Sequence, residues 1–210
     1  MNHILIGIQA RLGSTRLPRK TALPFKGDNS LIEYIYINWS ESFPTYNVRV
    51  LAPIGEKDDE FWSSLKEKCN IYFGDDVNLL RRYYFCAKQE NAKIILRVTG
   101  DNPFIHPDII NKSLLEFSKN GVDYFSSKSD DGCNIPQGIG VEIFTFEALS
   151  RVFESSDPCE QEHVSEAFLN NKDVNCAFLL DPFNAKDLDL SSISLTLDHQ
   201  CQFDFLKGLK

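Results

Sequence analysis

Apolar positions along this chain follow two rhythms that take turns. The run His3–Ala10 is almost wholly apolar and reads as a buried strand, and Ser30–Trp39, after a polar stretch holding Gly and Pro, carries helical spacing. Asn47–Ala52 reads as a second strand, and Asp58–Cys69 as a helix with Phe61, Trp62 and Leu65 on one side. Ile71–Phe73 is a short strand, Asn78–Gln89 a helix and Lys93–Thr99 a strand. Pro107–Asn120 is a helix that Gly121 closes with a left-handed cap. Strands alternating with helices predict βαβ units, hence a three-layer α/β fold on a mostly parallel sheet. From Val122 the rhythm changes. Strands are predicted at Asp123–Ser126, Gly140–Phe144, Val174–Leu180 and Ser192–Leu197, with helices at Phe146–Glu154 and Glu160–Asn170. With no linker, repeat or low-complexity tract between them, these elements read as a mixed-sheet extension of one domain.

The totals narrow the picture. At 210 residues, 42% hydrophobic and 25% charged, the chain can bury an ordinary globular core. A net charge of −8 argues against nucleic acid as a partner, because such binding draws on basic surface. The six cysteines are scattered and none form a CxxC pair, so reduced thiols are expected. The apolar start, Ile4–Ile8, is too short for a secretory or membrane segment, and a soluble cytoplasmic protein is expected.

In open α/β sheets ligands sit beyond the carboxyl ends of the strands. The loop after the first strand, Arg11–Lys20, puts four basic residues, a glycine and two hydroxyls into ten positions. Gly13 admits close backbone approach, Ser14 and Thr15 offer amides and hydroxyls, and Arg11, Arg16 and Lys20 suit phosphate oxygens. Neither GxxxxGK[ST] nor GxGxxG is present, which removes the P-loop and dinucleotide readings. A second feature is Arg97-Val98-Thr99-Gly100-Asp101, a strand ending at a glycine followed by a carboxylate. A third, Ser194–Asp198, repeats the arrangement. Asp101 also suits an Asx turn and Asp198 a helix N-cap. Facing one cationic loop, the two carboxylates suit a hard cation such as Mg²⁺ together with a triphosphate.

The opening QARLGSTRLPRK resembles the signature of cytidylyltransferases of the spore-coat polysaccharide type, which are similar to the enzymes that activate Kdo and sialic acids as CMP-sugars. The resemblance runs on through Gly74–Tyr84, Arg97–Pro103, Gly138–Phe144, Glu162-His163-Val164 and the segment before Asp198. It implies a Rossmann-like nucleotidyltransferase fold, with residues 1–121 binding the nucleotide and residues 122–210 serving the acceptor and dimerisation. It further implies CTP and a small-molecule acceptor as substrates, Mg²⁺ as cofactor, a homodimer, and no nucleic-acid or membrane partner. Arg11, Lys20 and Asp101 would be catalytic, and Asp101 and Asp198 would hold the metal. Gln9, Ala10, Arg11, Gly13, Ser14, Thr15, Arg16, Lys20, Asp76, Arg81, Thr99 and Gly100 would bind the nucleotide. Gly138, Glu142, Glu162 and His163 would serve the acceptor, although Glu142 also suits a strand face and His163 an ordinary helix.

The chain departs from that pattern in places. Arg19 stands where the family usually has glycine, and His199-Gln200-Cys201-Gln202 replaces the usual Thr-Pro-Glu-Asp. The chain ends at Lys210, slightly early for the family, so a last helix is expected to be missing. Two competing readings follow. One is a non-catalytic nucleotide-binding paralogue, suggested by the change after Asp198. The other is a sugar-nucleotide-dependent glycosyltransferase, for which Asp187-Leu188-Asp189 supplies the sole Asp-x-Asp triplet.

Overall fold

In the computed structural model residues 3–156, 163–184 and 188–209 are described. Their frame is a seven-stranded sheet that begins with β1 (Ile4–Gln9), whose first five residues are all buried. Burial on both faces is what a central parallel strand meets, and it explains the unbroken apolar run. β4 (Asn47–Pro53) and β6 (Ile94–Thr99) flank β1 in parallel, and β5 (Ile71–Gly74) pairs in parallel with β4. A small hairpin, β2 (Pro24–Lys26) and β3 (Asn29–Ser30), precedes them outside the main sheet. Beyond β6 the order continues through β8 (Glu142–Thr145), β7 (Tyr124–Ser126) and β9 (Cys176–Phe178). Only β8 runs against its neighbours. The predicted mixed-sheet extension is therefore a continuation of the same sheet.

The helices lie on both faces. Ile4, Ile6, Ile8, Leu96 and Val98 face one apolar layer with α1 (Leu31–Ser42), α2 (Glu60–Leu65), α4 (Pro107–Asn120) and α7 (Gln200–Gly208). Leu5, Leu51 and Ile95 face the other, with α3 (Leu79–Gln89), α5 (Phe146–Ser155) and α6 (Val164–Leu169). This is the three-layer α/β/α arrangement that the alternation predicts. Gly7 is where α3 comes closest: a Cβ there would sit 2.5 Å from the Tyr83 ring, whose hydroxyl donates to the Gly7 carbonyl at 2.8 Å. The helix starts are written locally. Ser30 Oγ accepts the Glu33 amide while Glu33 returns a bond to the Ser30 amide, and Asn78 Oδ1 accepts the Arg81 amide at 2.7 Å.

Three expectations change. Ser192–Leu197 is extended but forms no strand: a single bridge joins Ser194 to Gln137, and the Leu197 amide donates to the Asp101 carbonyl at 2.9 Å. Of its apolar positions only Leu197 is buried, while Ile193 is exposed, so the alternation there does not mark a strand with one buried face. A closing helix is present, α7, with Phe203 and Leu206 buried against the first layer. The helix predicted at Glu160–Asn170 is seen as Val164–Leu169; its first residues lie outside the described ones. The five described cysteines are free, and burial pushes the Cys69 and Cys86 thiols up to about 12. Among the described residues no helix is long and apolar enough to cross a membrane.

Candidate active site

Chain order reverses at β1: successive strands first build outward through β4 and β5, then restart on the other side at β6. The loops leaving β1 and β6 therefore diverge at the carboxyl edge of the sheet, and a cleft of about 370 Å³ opens between them. Gln9, Ala10, Arg11, Ser14, Thr15, Arg16, Lys20, Asp76, Thr99, Gly100, Asp101 and His163 all border it.

Lys20 is the centre of the charge arrangement. Its ammonium donates to Asp101 Oδ2 at 2.7 Å, to the Leu197 carbonyl at 2.9 Å and to Asp198 Oδ1 at 3.2 Å. Arg16 Nη2 reaches the same Asp198 oxygen at 2.9 Å. Carboxylates lying 81 and 178 positions further along the chain than Lys20 are thus gathered on its one nitrogen. The altered sequence after Asp198 supports this placement, because Gln202 Oε1 accepts the amides of both Asp198 and His199 at 2.9 Å. The side chain that replaces the family's usual continuation still caps α7 and holds the Asp198 backbone.

Among the described residues no group of three or more His, Cys, Asp or Glu is assembled for a metal. A pair is what a Mg²⁺ ion needs when substrate phosphates and water complete its octahedron. Asp101 and Asp198, both within reach of one cation and each about three-quarters covered, fit that donor set.

Other candidates lie elsewhere. The Gly13 amide turns away from the cleft and donates to Glu56 Oε1 at 3.2 Å. Arg81 points outward, 3.6 Å from Asp75 and over the Phe85 ring, because α3 presents positions 82, 83 and 86 inward. Arg82 borders the cleft in its place. It donates to the carbonyls of Asp75 at 2.7 Å and Asp76 at 3.2 Å, fixing the turn that carries Asp76. Gly138, at φ +95°, lets the chain pass under residues 195–196: a Cβ would meet Thr196 Oγ1 at 3.0 Å and Asn102 Oδ1 at 3.1 Å. It braces the turn behind Asp101 and does not border the cleft. Glu162 lies outside the described residues, as does Asp187.

Glu142 is buried beneath the cleft floor, opposite Arg97 in the β6–β8 register. It pairs with Arg97 Nη1 and accepts the hydroxyls of Tyr124 and Ser165 at 2.7 Å, with Lys128 Nζ at 3.5 Å. Burial pushes its carboxyl upward, but the Arg97 and Lys128 charges and the two hydroxyls outweigh that and hold it at about 2. Arg97 borders the cleft and donates through Nε to Gln9 Oε1 at 2.9 Å. Arg97 and Ser165 are site residues that motif reading misses. Strand period two places Arg97 on the face of Thr99, the register partner of Gln9, and that signal could have found it.

Arg19 explains its own departure from the family. It adopts a left-handed backbone, φ 54°, which favours glycine, and it holds Asp59 through two bonds of 2.8 and 3.0 Å. Arg19→Gly relieves the backbone and loses an exposed pair, whereas Arg19→Ala loses the pair and keeps the strain. The Gly variant is therefore expected to unfold at a higher temperature than the Ala variant in a thermal melt.

Comparison with known proteins gives one consistent picture. The family profile described as Cytidylyltransferase matches residues 5–210. The spore coat polysaccharide biosynthesis protein SpsF of Bacillus subtilis is 29% identical, over 100% of this chain and 87% of its own. The 3-deoxy-manno-octulosonate cytidylyltransferase of Chloroherpeton thalassium is 31% identical over 56% of this chain and 47% of its own. The structure of a cytidylyltransferase from Leptospira borgpetersenii superposes with a TM-score of 0.82 at 30% identity, covering 97% of this chain and 84% of that one.

Proposed function

The chain belongs to the cytidylyltransferase family, and from that premise we propose that it transfers CMP from CTP to an acidic sugar or phosphorylated metabolite, releasing pyrophosphate, for a surface polysaccharide or related glycoconjugate. The observation that carries the reading is Lys20, held between Asp101 and Asp198 at the mouth of a cleft lined by Arg11 and Arg16.

An oxygen of the acceptor attacks the α-phosphorus in line. The bond from that phosphorus to the bridging oxygen breaks, and its electron pair leaves with pyrophosphate. Such transfer depends on positioning and on neutralising charge more than on covalent help. Arg11, Arg16 and Lys20 meet the triphosphate, with Lys20 turning from the carboxylates to the phosphate oxygens. Ser14 and Thr15 orient the chain of phosphates. Asp101 and Asp198 are the residues that would hold a Mg²⁺ ion, which would add neutralisation of the phosphates and lower the pKa of an acceptor hydroxyl. Where the attacking oxygen belongs to an ionised phosphate or carboxylate no base is needed; where it is a hydroxyl, its proton passes to solvent water, and no protein base is assigned. His163 and Ser165 border the cleft on its α6 side, where the acceptor would lie. The resemblance to SpsF supports the polysaccharide setting, and the resemblance to the octulosonate enzyme supports a sugar acid as acceptor.

Calorimetric titration of the protein with the four nucleoside triphosphates in Mg²⁺ tests this. CTP is expected to bind about tenfold or more tighter than ATP, GTP or UTP, and chelation of the metal to weaken CTP by a similar factor. Preference for another triphosphate would overturn the choice of CTP, and unchanged affinity after chelation would overturn the metal.

A further inference from the structure

We infer that Glu56 is a positioning residue for the triphosphate loop, shaping it from behind so that Ser14, Thr15 and Arg16 face the cleft. The inference rests on the CTP-binding reading of that loop. Glu56 sits in the segment between β4 and α2, 44 residues from Leu12, and its carboxylate is the outside acceptor for amides at the start of the loop. Oε1 accepts the amides of Leu12 at 2.9 Å and Gly13 at 3.2 Å. Oε2 accepts the Leu12 amide at 2.9 Å and the indole N–H of Trp62 at 3.1 Å. Trp62 is fully buried, so the carboxylate is anchored to the core on one side and to the loop on the other. Charge-assisted bonds of this kind are stronger than neutral ones.

A carboxylate on two loop amides could instead be standing where a phosphate binds. The lining of the cleft favours the brace: Ser14, Thr15 and Arg16 border it, whereas Leu12, Gly13 and Glu56 do not. Glu56 satisfies the amides of Leu12 and Gly13. From Leu12 the order propagates, since its carbonyl accepts the Ser14 amide at 2.8 Å and the Arg19 amide at 3.1 Å.

The same segment grips the site at two more points. Asp59 caps α2 through the Phe61 amide at 2.9 Å and clasps Arg19 at the far end of the loop. Arg19 and the Phe61 amide hold the Asp59 carboxyl down at about 2. The Gly55 amide donates to Asp76 Oδ1 at 2.6 Å, and a Cβ on Gly55 would come within 3.0 Å of that carboxylate. Asp76 borders the cleft, so residues 54–59 fix the loop and an acidic wall together.

The test compares the affinities of CTP and CMP for the wild type, Glu56→Ala and Glu56→Gln. Misplaced phosphate-binding groups cost CTP, while CMP, which lacks the β- and γ-phosphates, loses little. Glu56→Ala is expected to weaken CTP about tenfold or more and CMP about twofold or less. Glu56→Gln, whose amide oxygen still accepts the Leu12 N–H, is expected to recover CTP binding to within about threefold of wild type. Amide hydrogen exchange of the unmutated protein adds an independent readout: Leu12 and Gly13 are expected to exchange slowly, and fast exchange would overturn the brace. Equal CTP affinity in Glu56→Ala and wild type, or equal losses of CTP and CMP, would overturn the inference alone. Wild-type protein that binds no CTP would overturn the proposed function and the inference with it.

Discussion

Asp101→Ala is expected to lower pyrophosphate release by about a thousandfold while leaving the fold intact, because preorganised electrostatic groups at a reacting phosphate are each worth about 3–4 kcal/mol. The fold survives for reasons visible around the site. Lys20 keeps the Leu197 carbonyl and Asp198 as acceptors, so its ammonium is not orphaned. The bond that docks the closing segment runs to the Asp101 carbonyl, which the substitution leaves in place. The Asp101 carboxylate is a quarter exposed, so water reaches the position it leaves. A loss of activity with an unchanged melting temperature separates chemistry from folding. Activity within about threefold of wild type would sink the assignment of Asp101 to the reacting phosphate.

The second large effect is on stability. Glu142→Ala removes the counter-charge from Arg97 in a buried site and leaves the guanidinium to be accommodated without it. Breaking a buried pair on one side costs about 3–5 kcal/mol, or about 10 °C in melting temperature for a chain of this size. Urea unfolding measures it. Replacing both partners with apolar residues, Arg97→Met with Glu142→Leu, is expected to return part of the stability, because the guanidinium is no longer stranded while Lys128 and the Tyr124 and Ser165 hydroxyls still lose an acceptor. Acid gives a second view of the same pair. The Glu142 carboxyl is held at about 2 against an ordinary value of 4.5, so it contributes stability above pH 4.5. That contribution is lost as pH falls from 4.5 towards 2, and Glu142→Gln is expected to flatten the stability curve across the same interval. An equally steep curve in Glu142→Gln would place the acid sensitivity elsewhere.

Local patterns made much of this molecule readable. Pro107–Asn120 and the glycine after it match α4 residue for residue, since a Pro start, a helical period and a left-handed stop are all local. The cationic loop and Asp101 were readable for the same reason: strand, glycine and carboxylate stand next to one another. What escaped depends on pairing across the fold. Arg97 is read only as part of the motif leading to Asp101, and its pairing appears when β8 brings Glu142 opposite it in register. Glu56 draws no notice in the sequence, and its contact appears when the segment after β4 folds back on Leu12. Ser192–Leu197 alternates like a strand, yet it is bridged only at Ser194 and buries only Leu197 of its apolar positions. The closing helix buries only Phe203 and Leu206, too few positions to announce a period. The change after Asp198, which suggests a non-catalytic paralogue as an alternative, leaves the Asp198 backbone supported, since Gln202 accepts its amide.

Pyrophosphate release tests the central claim most directly. Purified protein is given Mg²⁺, each nucleoside triphosphate in turn, and a panel of keto-acid sugars and sugar phosphates. The account predicts release with CTP and one acceptor class, and none without the acceptor. Release from no triphosphate, together with transfer of sugar from a nucleotide sugar, would contradict it.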